Sequence, residues 1–213
     1  MIEFLNKEVI SLFPSLLFHS KIENKQLLKG IAQSVMDLKK KSHGNGTQTG
    51  WWSLDNIHEL PEFEELAESL LKEADSVLDF FKVKRDGCYL TSMWANIANR
   101  PEYSHQNHIH PNSLLSGVLH VNLPEGAAGT TFGDPRPAAR IFEPTHTELN
   151  QFNAGMFNPP GEEGTLFIFP SYLPHGVNPS AKVFAKDKKR ITISFNVMIT
   201  GRIETRTAPL TLS

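Results

Sequence analysis

Cysteine is almost absent from this sequence, since Cys88 is the only one among 213 residues. One thiol cannot form a disulfide within the chain, so a disulfide-stapled fold is excluded. The lack of disulfides is typical of a reducing compartment. The N-terminal stretch carries Glu3 and Glu8 and lacks the basic region of a secretory signal peptide. The sequence therefore predicts a cytoplasmic protein.

Long apolar runs and a strong net charge are also lacking. No apolar run approaches the roughly 20 residues of a membrane-spanning helix, so no membrane association is expected. The formal net charge is −2, and there is no clustered basic face of the kind that binds nucleic acid. Hydrophobic residues make up 39% and charged residues 21% of the chain, as in a globular protein with a buried core.

Helical signals dominate the first part of the chain. Residues 8–19 are predicted to be extended, and a helix is predicted over 24–42, where Asn24 is a suitable N-cap. A Gly-rich loop containing two adjacent tryptophans follows at 43–58. A second helix is predicted over 61–82, with a proline in its first turn.

Short β-rich runs separated by turn residues fill the second part of the chain. They are CYLTSMWANIA, SGVLHVNL, GTTFGDP, GTLFIFP and RITISFNVMIT. Helices followed by many strands indicate an α+β, mainly β fold. The prediction is an antiparallel sandwich or barrel with two N-terminal helices packed on one face.

The predicted organisation is a single domain over 1–213. Residues 1–87 form an N-terminal strand and supporting helices, 88–200 form the β core, and 201–213 form a tail that pairs with a neighbouring strand or with the N-terminal strand. Residues 135–163 are rich in Pro, Gly and Asn without a period. Loops of this length are usually functional or disordered. We interpret this one as a lid, which requires a pocket beneath it.

The strand RITISFNVMI allows two interpretations. Successive side chains of a strand point to opposite faces, so Arg190 shares a face with Thr192, Ser194 and Asn196, and the isoleucines share the other. In the first interpretation the polar face meets water, as is common in antiparallel sheets. In the second the polar face lines an interior pocket, where Arg190 binds a carboxylate through its planar fork.

Histidines are crowded in the stretch SHQNHIHPNS. In an extended strand His108 and His110 lie on one face, where they can chelate one metal ion. His175 follows the predicted buried strand GTLFIFP and is the candidate third ligand. His105 has the other parity and is expected beside the site or in solvent, whereas His120 alternates into an apolar strand and is expected to point into the same pocket.

Three imidazoles suit Zn, Fe, Cu or Ni, and spacing alone does not choose among them. A carboxylate-binding arginine on the strand after the distal histidine suggests a bidentate acid as cosubstrate. The H-x-H, the distal histidine and the later arginine together resemble the Fe(II)/2-oxoglutarate-dependent oxygenases. More narrowly, HIHPNSLLSGVLHV, FGDPRP, GTLFIFPSYLPHGVNP and RITISFN resemble a family of small 2-oxoglutarate/Fe(II) oxygenases from bacteria and phages. The loop GWWSLDNIHELPEF is similar to that family's Gly-Trp-x-Ser segment.

The resemblance implies a double-stranded β-helix (jelly-roll) core and a site that holds Fe(II), with 2-oxoglutarate and O2 as cosubstrates. It implies His108 and His175 as iron ligands and Arg190 as the partner of the distal carboxylate of 2-oxoglutarate. The superfamily usually has an acid where this chain has His110. The third ligand is therefore predicted to be His110, with Asp134 as the alternative.

Further residues are predicted around this centre. Those assigned to the cosubstrate, besides Arg190, are Thr192, Ser194, Asn196, His120 and Trp94. Those assigned to the substrate or the lid are Arg136, Trp51 and Trp52, although both tryptophans are equally well explained as core anchors.

The function implied is hydroxylation of a C–H bond in a peptide, a protein or a small molecule, with prolyl hydroxylation as one option. The alternative is a cupin-like module that binds a metal or a sugar without oxygenase activity. A third possibility is a purely structural β-sandwich, which predicts no stoichiometric metal.

Overall fold

The computed structural model describes residues 8–139, 141–180, 188–203 and 209–212. Residues 1–7 and 204–208 lie outside the described residues. The first range is part of the stretch that was predicted not to be a signal peptide, and the second belongs to the tail. The two α-helices are α1 (Lys25–Lys40) and α2 (Glu64–Phe80), the latter preceded by two short 3-10 turns. The strands are β1 (Phe18–Lys21), β2 (Gly44–Gly46), β3 (Gly50–Ser53), β4 (Gly87–Ala98), β5 (His105–His108), β6 (Leu115–Asn122), β7 (Thr131–Gly133), β8 (Met156–Phe157), β9 (Thr165–Pro170), β10 (His175–Val177), β11 (Arg190–Ile203) and β12 (Leu210–Leu212).

Local sequence explains where α1 begins and which face it buries. The Asn24 side chain accepts hydrogen bonds from the backbone N–H groups of Gln26 and Leu27, both at 3.1 Å. These bonds satisfy amides that the helix itself leaves unpaired. The buried residues, Leu28, Ile31, Val35 and Leu38, recur at helical spacing. The helix therefore presents one apolar stripe to the sheet.

The larger sheet runs in the order β1-β9-β6-β11-β4-β3-β2, and β12 pairs with β11. Within the described residues, the strands of this sheet pair antiparallel throughout. The apolar residues of β11 join those of α1 and α2 in one hydrophobic core. The strand therefore turns its isoleucine face to the helices, which is the second of the two interpretations of this strand.

The smaller sheet runs in the order β5-β10-β7-β8. A second apolar cluster joins Phe132 of this sheet to Val118, Phe167 and Phe169 of the larger one, together with Leu173. The two sheets thus face each other around this cluster, and the predicted mainly β fold with helices on one face is confirmed.

Several local predictions were incomplete or wrong. Regular strand structure near the N-terminus is confined to Phe18–Lys21, although extension was predicted over 8–19. The predicted loop 43–58 contains the β2–β3 hairpin, whose reversal at 47–49 is closed by a hydrogen bond from the Thr47 N–H to the Gly50 carbonyl at 2.8 Å. In the described residues, strand β12 of the tail pairs with the neighbouring strand β11 and not with β1. None of the described helices is long and apolar enough to cross a membrane.

Candidate metal centre

Three histidines converge between the sheets. In the described residues, one ring nitrogen from each of His108, His110 and His175 lies within 4.8 Å of the other two. The Nε2 atoms of His110 and His175 are 3.2 Å apart. No acidic residue takes part in this group. A set of three mutually close imidazole nitrogens is suited to a single transition-metal ion.

Strand pairing and a turn bring these rings together by different means. His175 opens β10 and lies opposite His108 in the antiparallel pairing with β5. His110 lies beyond the end of β5, where its backbone N–H donates to the Ser171 carbonyl at 3.1 Å. The prediction that both residues of the H-x-H pair share one strand face is wrong in this detail. The chain after β5, which the Ser171 carbonyl holds in place, positions the His110 ring beside the other two.

Backbone carbonyls orient two of the three imidazoles. The Nδ1 atom of His108 lies 2.8 Å from the Gln106 carbonyl, and that of His175 lies 3.0 Å from the Leu173 carbonyl. In each case Nδ1 carries the proton, since a carbonyl oxygen only accepts. Both residues therefore direct the lone pair of Nε2 toward the cluster, which is the form that binds a metal.

Burial lowers the pKa of two of the three rings, those of His110 and His175. Desolvation, followed by the nearby imidazoles, lowers the pKa of His110 to about 4. Desolvation also lowers the pKa of His175 to about 3, although the bond to Leu173 opposes the shift. Because a metal competes with protons for the same lone pairs, an imidazole that is neutral at pH 7 has no extra proton to lose before it binds.

A buried cation lies in the same pocket. Arg190 is only 3% exposed, and its Nε donates to the Ala128 carbonyl at 2.8 Å. Desolvation lowers the pKa of Arg190 to about 10, so the group remains charged at neutral pH. No Asp or Glu of the described chain lies within ion-pair distance of it. A buried charge requires a counter-ion, and the open pocket is where an anionic ligand can supply it.

Most of the predicted cosubstrate residues lie around this pocket. Thr192, Ser194 and Trp94 line it together with the three histidines and Arg190. The Trp94 ring centroid is 5.6 Å from that of His110. Asn196 is on the same strand face but hydrogen-bonds to His110.

His120 lies behind the pocket wall. It is fully buried, with Nε2 3.2 Å from the Thr130 hydroxyl, and its Nδ1 has no hydrogen-bond partner among the described residues. Thr130 itself lines the pocket. His120 therefore supports the wall through Thr130, and the prediction that it points into the pocket is wrong.

The alternative acidic ligand is engaged elsewhere. The Asp134 carboxylate accepts hydrogen bonds from the Arg136 side chain at 2.9 and 2.7 Å and lies outside the histidine group. Arg136, predicted to contact substrate, is exposed and bound to this carboxylate. Local sequence explains the pair, because Asp-Pro-Arg is a turn in which the first and third side chains meet.

The two tryptophans have different environments. Trp51 is 5% exposed and belongs to the core shared by the helices and the larger sheet, so its assignment to substrate contact is corrected to a core anchor. Trp52 is 39% exposed and lies opposite Asn96 in the strand pairing. Asn96 lines the pocket, so Trp52 is on the pocket side of the sheet.

Some pocket residues were not predicted from the sequence. They are Asn96, Tyr103, Ser116 and Thr130. Asn96 carries a usable signal, since it shares a strand face with Trp94. Tyr103 and Thr130 lie outside regular alternating runs, so no period identifies them. His105 also lines the pocket, with its ring stacked on His108 at a centroid distance of 4.4 Å.

Comparison with known families now adds to this geometry. The profile of a family described as "Putative 2OG-Fe(II) oxygenase" matches residues 92–196. The matched segment contains the three histidines and Arg190. Residues 92–196 belong to this oxygenase family. Iron(II) is the metal and 2-oxoglutarate the cosubstrate of these oxygenases, and the described residues supply a histidine triad able to hold such a metal.

Solved structures agree on the fold. A prolyl-4-hydroxylase from Pseudomonas putida is 10% identical, with a TM-score of 0.61 over 88% of this chain and 94% of that one. The α-ketoglutarate-dependent epimerase SnoN of nogalamycin biosynthesis is 13% identical, with a TM-score of 0.65 over 88% and 79%. HygX from Streptomyces hygroscopicus, with nickel and 2-oxoglutarate bound, is 10% identical, with a TM-score of 0.59 over 87% and 83%.

These likenesses establish the double-stranded β-helix as the fold of this 2OG-Fe(II) oxygenase. At 10–13% identity they establish nothing about its substrate. No protein of curated function matches the sequence.

Proposed function

We propose that this chain is an Fe(II)- and 2-oxoglutarate-dependent dioxygenase that hydroxylates a C–H bond. The observation that carries the proposal is one pocket containing three convergent imidazoles and a buried arginine with no acidic partner among the described residues. His108, His110 and His175 hold the metal in this proposal. Arg190 binds the distal carboxylate of the cosubstrate.

The donor set fits iron. Imidazole nitrogen is a common ligand of non-haem iron, and a three-residue set leaves positions open for a keto acid and O2. When bound, the metal and cosubstrate supply the oxidative chemistry, in which 2-oxoglutarate, O2 and R–H give succinate, CO2 and R–OH. Position 110 is a histidine where the superfamily usually has an acid, so the triad carries one negative charge fewer than usual. The centre is therefore more cationic and favours the dianionic cosubstrate.

The chain's own residues bind, orient and exclude water. Arg190 supplies a planar fork for the distal carboxylate, and the Thr192 and Ser194 hydroxyls are positioned on the same strand face to add hydrogen bonds. Trp94 packs beside His110. Residues 135–163 follow strand β7 and are assigned the role of a lid that keeps water from the site.

The substrate proposed is a peptide or protein side chain, with a small molecule as the other class. Prolyl hydroxylation is the first reaction to test, supported by likeness of fold to a prolyl-4-hydroxylase from Pseudomonas putida. The domain is proposed to be a single unit over 1–213. A cytoplasmic location, with neither nucleic acid nor membrane as partner, agrees with the single cysteine and the net charge of −2.

Succinate formation tests the proposal. Purified protein supplied with Fe(II), 2-oxoglutarate and O2 is expected to release succinate slowly without substrate, and His175→Ala is expected to abolish it. His19→Ala is the matched control, because His19 is exposed and lies outside the pocket. Stoichiometric metal binding with neither 2-oxoglutarate binding nor succinate would instead support the cupin-like binding module. Absence of metal binding would support the structural sandwich.

A further inference from the structure

One ligand of the proposed metal centre is oriented by a side chain, unlike the other two. The Asn196 amide nitrogen lies 3.1 Å from Nδ1 of His110. Asn196 is 8% exposed, and its amide makes two more bonds, from Nδ2 to the Ser92 hydroxyl at 3.0 Å and from the Ser116 hydroxyl to Oδ1 at 2.7 Å. The amide is thus fixed on both sides within a buried polar network.

This contact gives His110 the opposite proton arrangement from its neighbours. An amide N–H can only donate, so Nδ1 of His110 accepts, and the proton of the neutral ring is on Nε2. That N–H points to Nε2 of His175 at 3.2 Å, which accepts because its own Nδ1 donates to Leu173. In this arrangement His110 presents a proton to the centre where a metal ion needs a lone pair.

Rotation of the amide by half a turn reverses the arrangement. Oδ1 of Asn196 then accepts from Nδ1–H of His110 and from the Ser92 hydroxyl, while Nδ2 donates to Ser116. The Ser116 hydroxyl can reverse in turn, because it contacts Ser171 at 2.9 Å through a bond in which either group can donate.

The serine chain has an acceptor at its far end. The Ser113 hydroxyl contacts Ser171 at 2.8 Å and the His110 carbonyl at 3.4 Å. When the chain reverses, Ser171 donates to Ser113, and Ser113 donates to that carbonyl. Every hydroxyl therefore keeps a partner in both arrangements, although one hydrogen of the rotated amide loses its partner within this network. The metal-free protein consequently favours the first arrangement.

We propose that Asn196 is a positioning residue whose amide rotation frees Nε2 of His110 for the metal. The inference rests on the proposed metal site and deepens it. It also reassigns Asn196, which was predicted from strand parity to contact the cosubstrate. Metal binding is coupled to the rotation and to reversal of the serine chain, without any change in the total number of protons bound.

Two substitutions separate this role from simple packing. In Asn196→Asp the carboxylate can only accept, so it holds Nδ1–H of His110 and leaves Nε2 free whenever the ring is neutral. Zn(II) is expected to bind this variant at least as tightly as it binds the wild type. In Asn196→Leu the orienting group is lost, and Zn(II) affinity is expected to fall about 10- to 100-fold, the usual effect of removing a group that orients a metal ligand.

The experiment combines Zn(II) titration calorimetry with ¹⁵N NMR of the histidine rings in the full chain. In the wild type we expect the His110 proton on Nε2 without metal and on Nδ1 with Zn(II). Circular dichroism verifies that each variant is folded. The NMR comparison stands on the wild type alone, should a variant fail to fold.

The outcomes separate the two proposals. A wild type that binds no Zn(II) would overturn the metal site and this inference with it. A wild type that binds Zn(II) through the three histidines, with Asn196→Leu equally tight, would overturn the positioning role alone. So would a proton on Nδ1 of His110 in both the free and the bound states, or an Asn196→Asp variant as weak as Asn196→Leu.

Discussion

The two faces of strand β11 are equally buried and chemically opposite. Ile191 and Ile193 on one face are 3% and 0% exposed, and Thr192 and Ser194 on the other are 2% and 9% exposed. The first pair packs against the helices in the main core, and the second lines the pocket with the histidines. Burial alone therefore does not distinguish core from site. What distinguishes them is the neighbouring layer: the apolar face meets the helices, and the polar face meets the pocket between the two sheets.

The difference also separates stability from function along a single strand. The apolar face removes hydrocarbon from water, which stabilises the fold. The polar face places hydroxyls and a guanidinium where they gain little unless a ligand satisfies them. Substitutions on the first face should lower the free energy of unfolding, and those on the second should lower ligand affinity.

Arg190→Met should produce the largest loss of cosubstrate binding. Truncating one partner of a buried, hydrogen-bonded charge pair costs about 2–5 kcal/mol, which corresponds to a ~30- to several-thousand-fold rise in the Kd for 2-oxoglutarate. Affinity for Zn(II) should change little, because Arg190 is not a ligand. Calorimetric titration of both ligands measures the difference, with the exposed Arg202→Met as the matched arginine control. Equal loss in both arginine variants would contradict the division.

Ile193→Ala should destabilise the fold and spare the site. A fully buried isoleucine replaced by alanine typically lowers the free energy of unfolding by about 2–5 kcal/mol. Denaturant unfolding measures this loss, and Zn(II) titration below the transition should show an unchanged site. If the folded variant lost metal or 2-oxoglutarate binding instead, the two faces would not be separable.

Acid should destabilise the protein partly through His120, a buried titratable group between the two sheets. Burial lowers the pKa of His120 to about 3, below the value near 6.5 of an unfolded chain. The unfolded state therefore binds the extra proton between these values, so the stabilisation is complete above about pH 6.5 and is lost as the pH falls toward 3. The slope is up to about 1.4 kcal/mol per pH unit.

The variant His120→Gln should remove that contribution. Its free energy of unfolding, measured by denaturant titration from pH 7 to pH 4, should fall less steeply with acid than that of the wild type. Parallel curves for the two proteins would show that His120 titrates normally in the fold.

Ser194→Ala should have the smallest effect. One hydrogen bond to a bound ligand contributes about 0.5–1.5 kcal/mol, so the Kd for 2-oxoglutarate should rise roughly 2- to 12-fold. The free energy of unfolding should stay within about 0.5 kcal/mol, since the hydroxyl makes only a 3.5 Å contact to Asn96. A large loss of stability with unchanged binding would show that Ser194 acts as a core residue and not as a pocket residue.

Much of the fold could be predicted because it follows from local periodicity. The spacing of Leu28, Ile31, Val35 and Leu38 specifies α1, and alternation specifies which residues of β11 share a face. Which face is internal was left open, since both arrangements satisfy the same alternation. That choice depends on the helices covering the sheet, which is a tertiary fact.

The centre was predictable in its residue types and less so in its details. His108, His110, His175 and Arg190 stand out because imidazole and guanidinium chemistry limits their uses. The contact between Asn196 and His110 depends instead on the path of the chain beyond the end of β5. No sequence period encodes that path, so the sequence placed Asn196 on the right strand face and with the wrong partner.

The most direct test of the account is an anaerobic titration of the Fe(II)-loaded protein with 2-oxoglutarate, followed by visible absorption. The account predicts a weak metal-to-ligand charge-transfer band that saturates, is absent in His175→Ala, and requires far higher 2-oxoglutarate concentrations in Arg190→Met. Iron bound at one equivalent with no band at any concentration would contradict the account, because the keto acid would then not reach the metal.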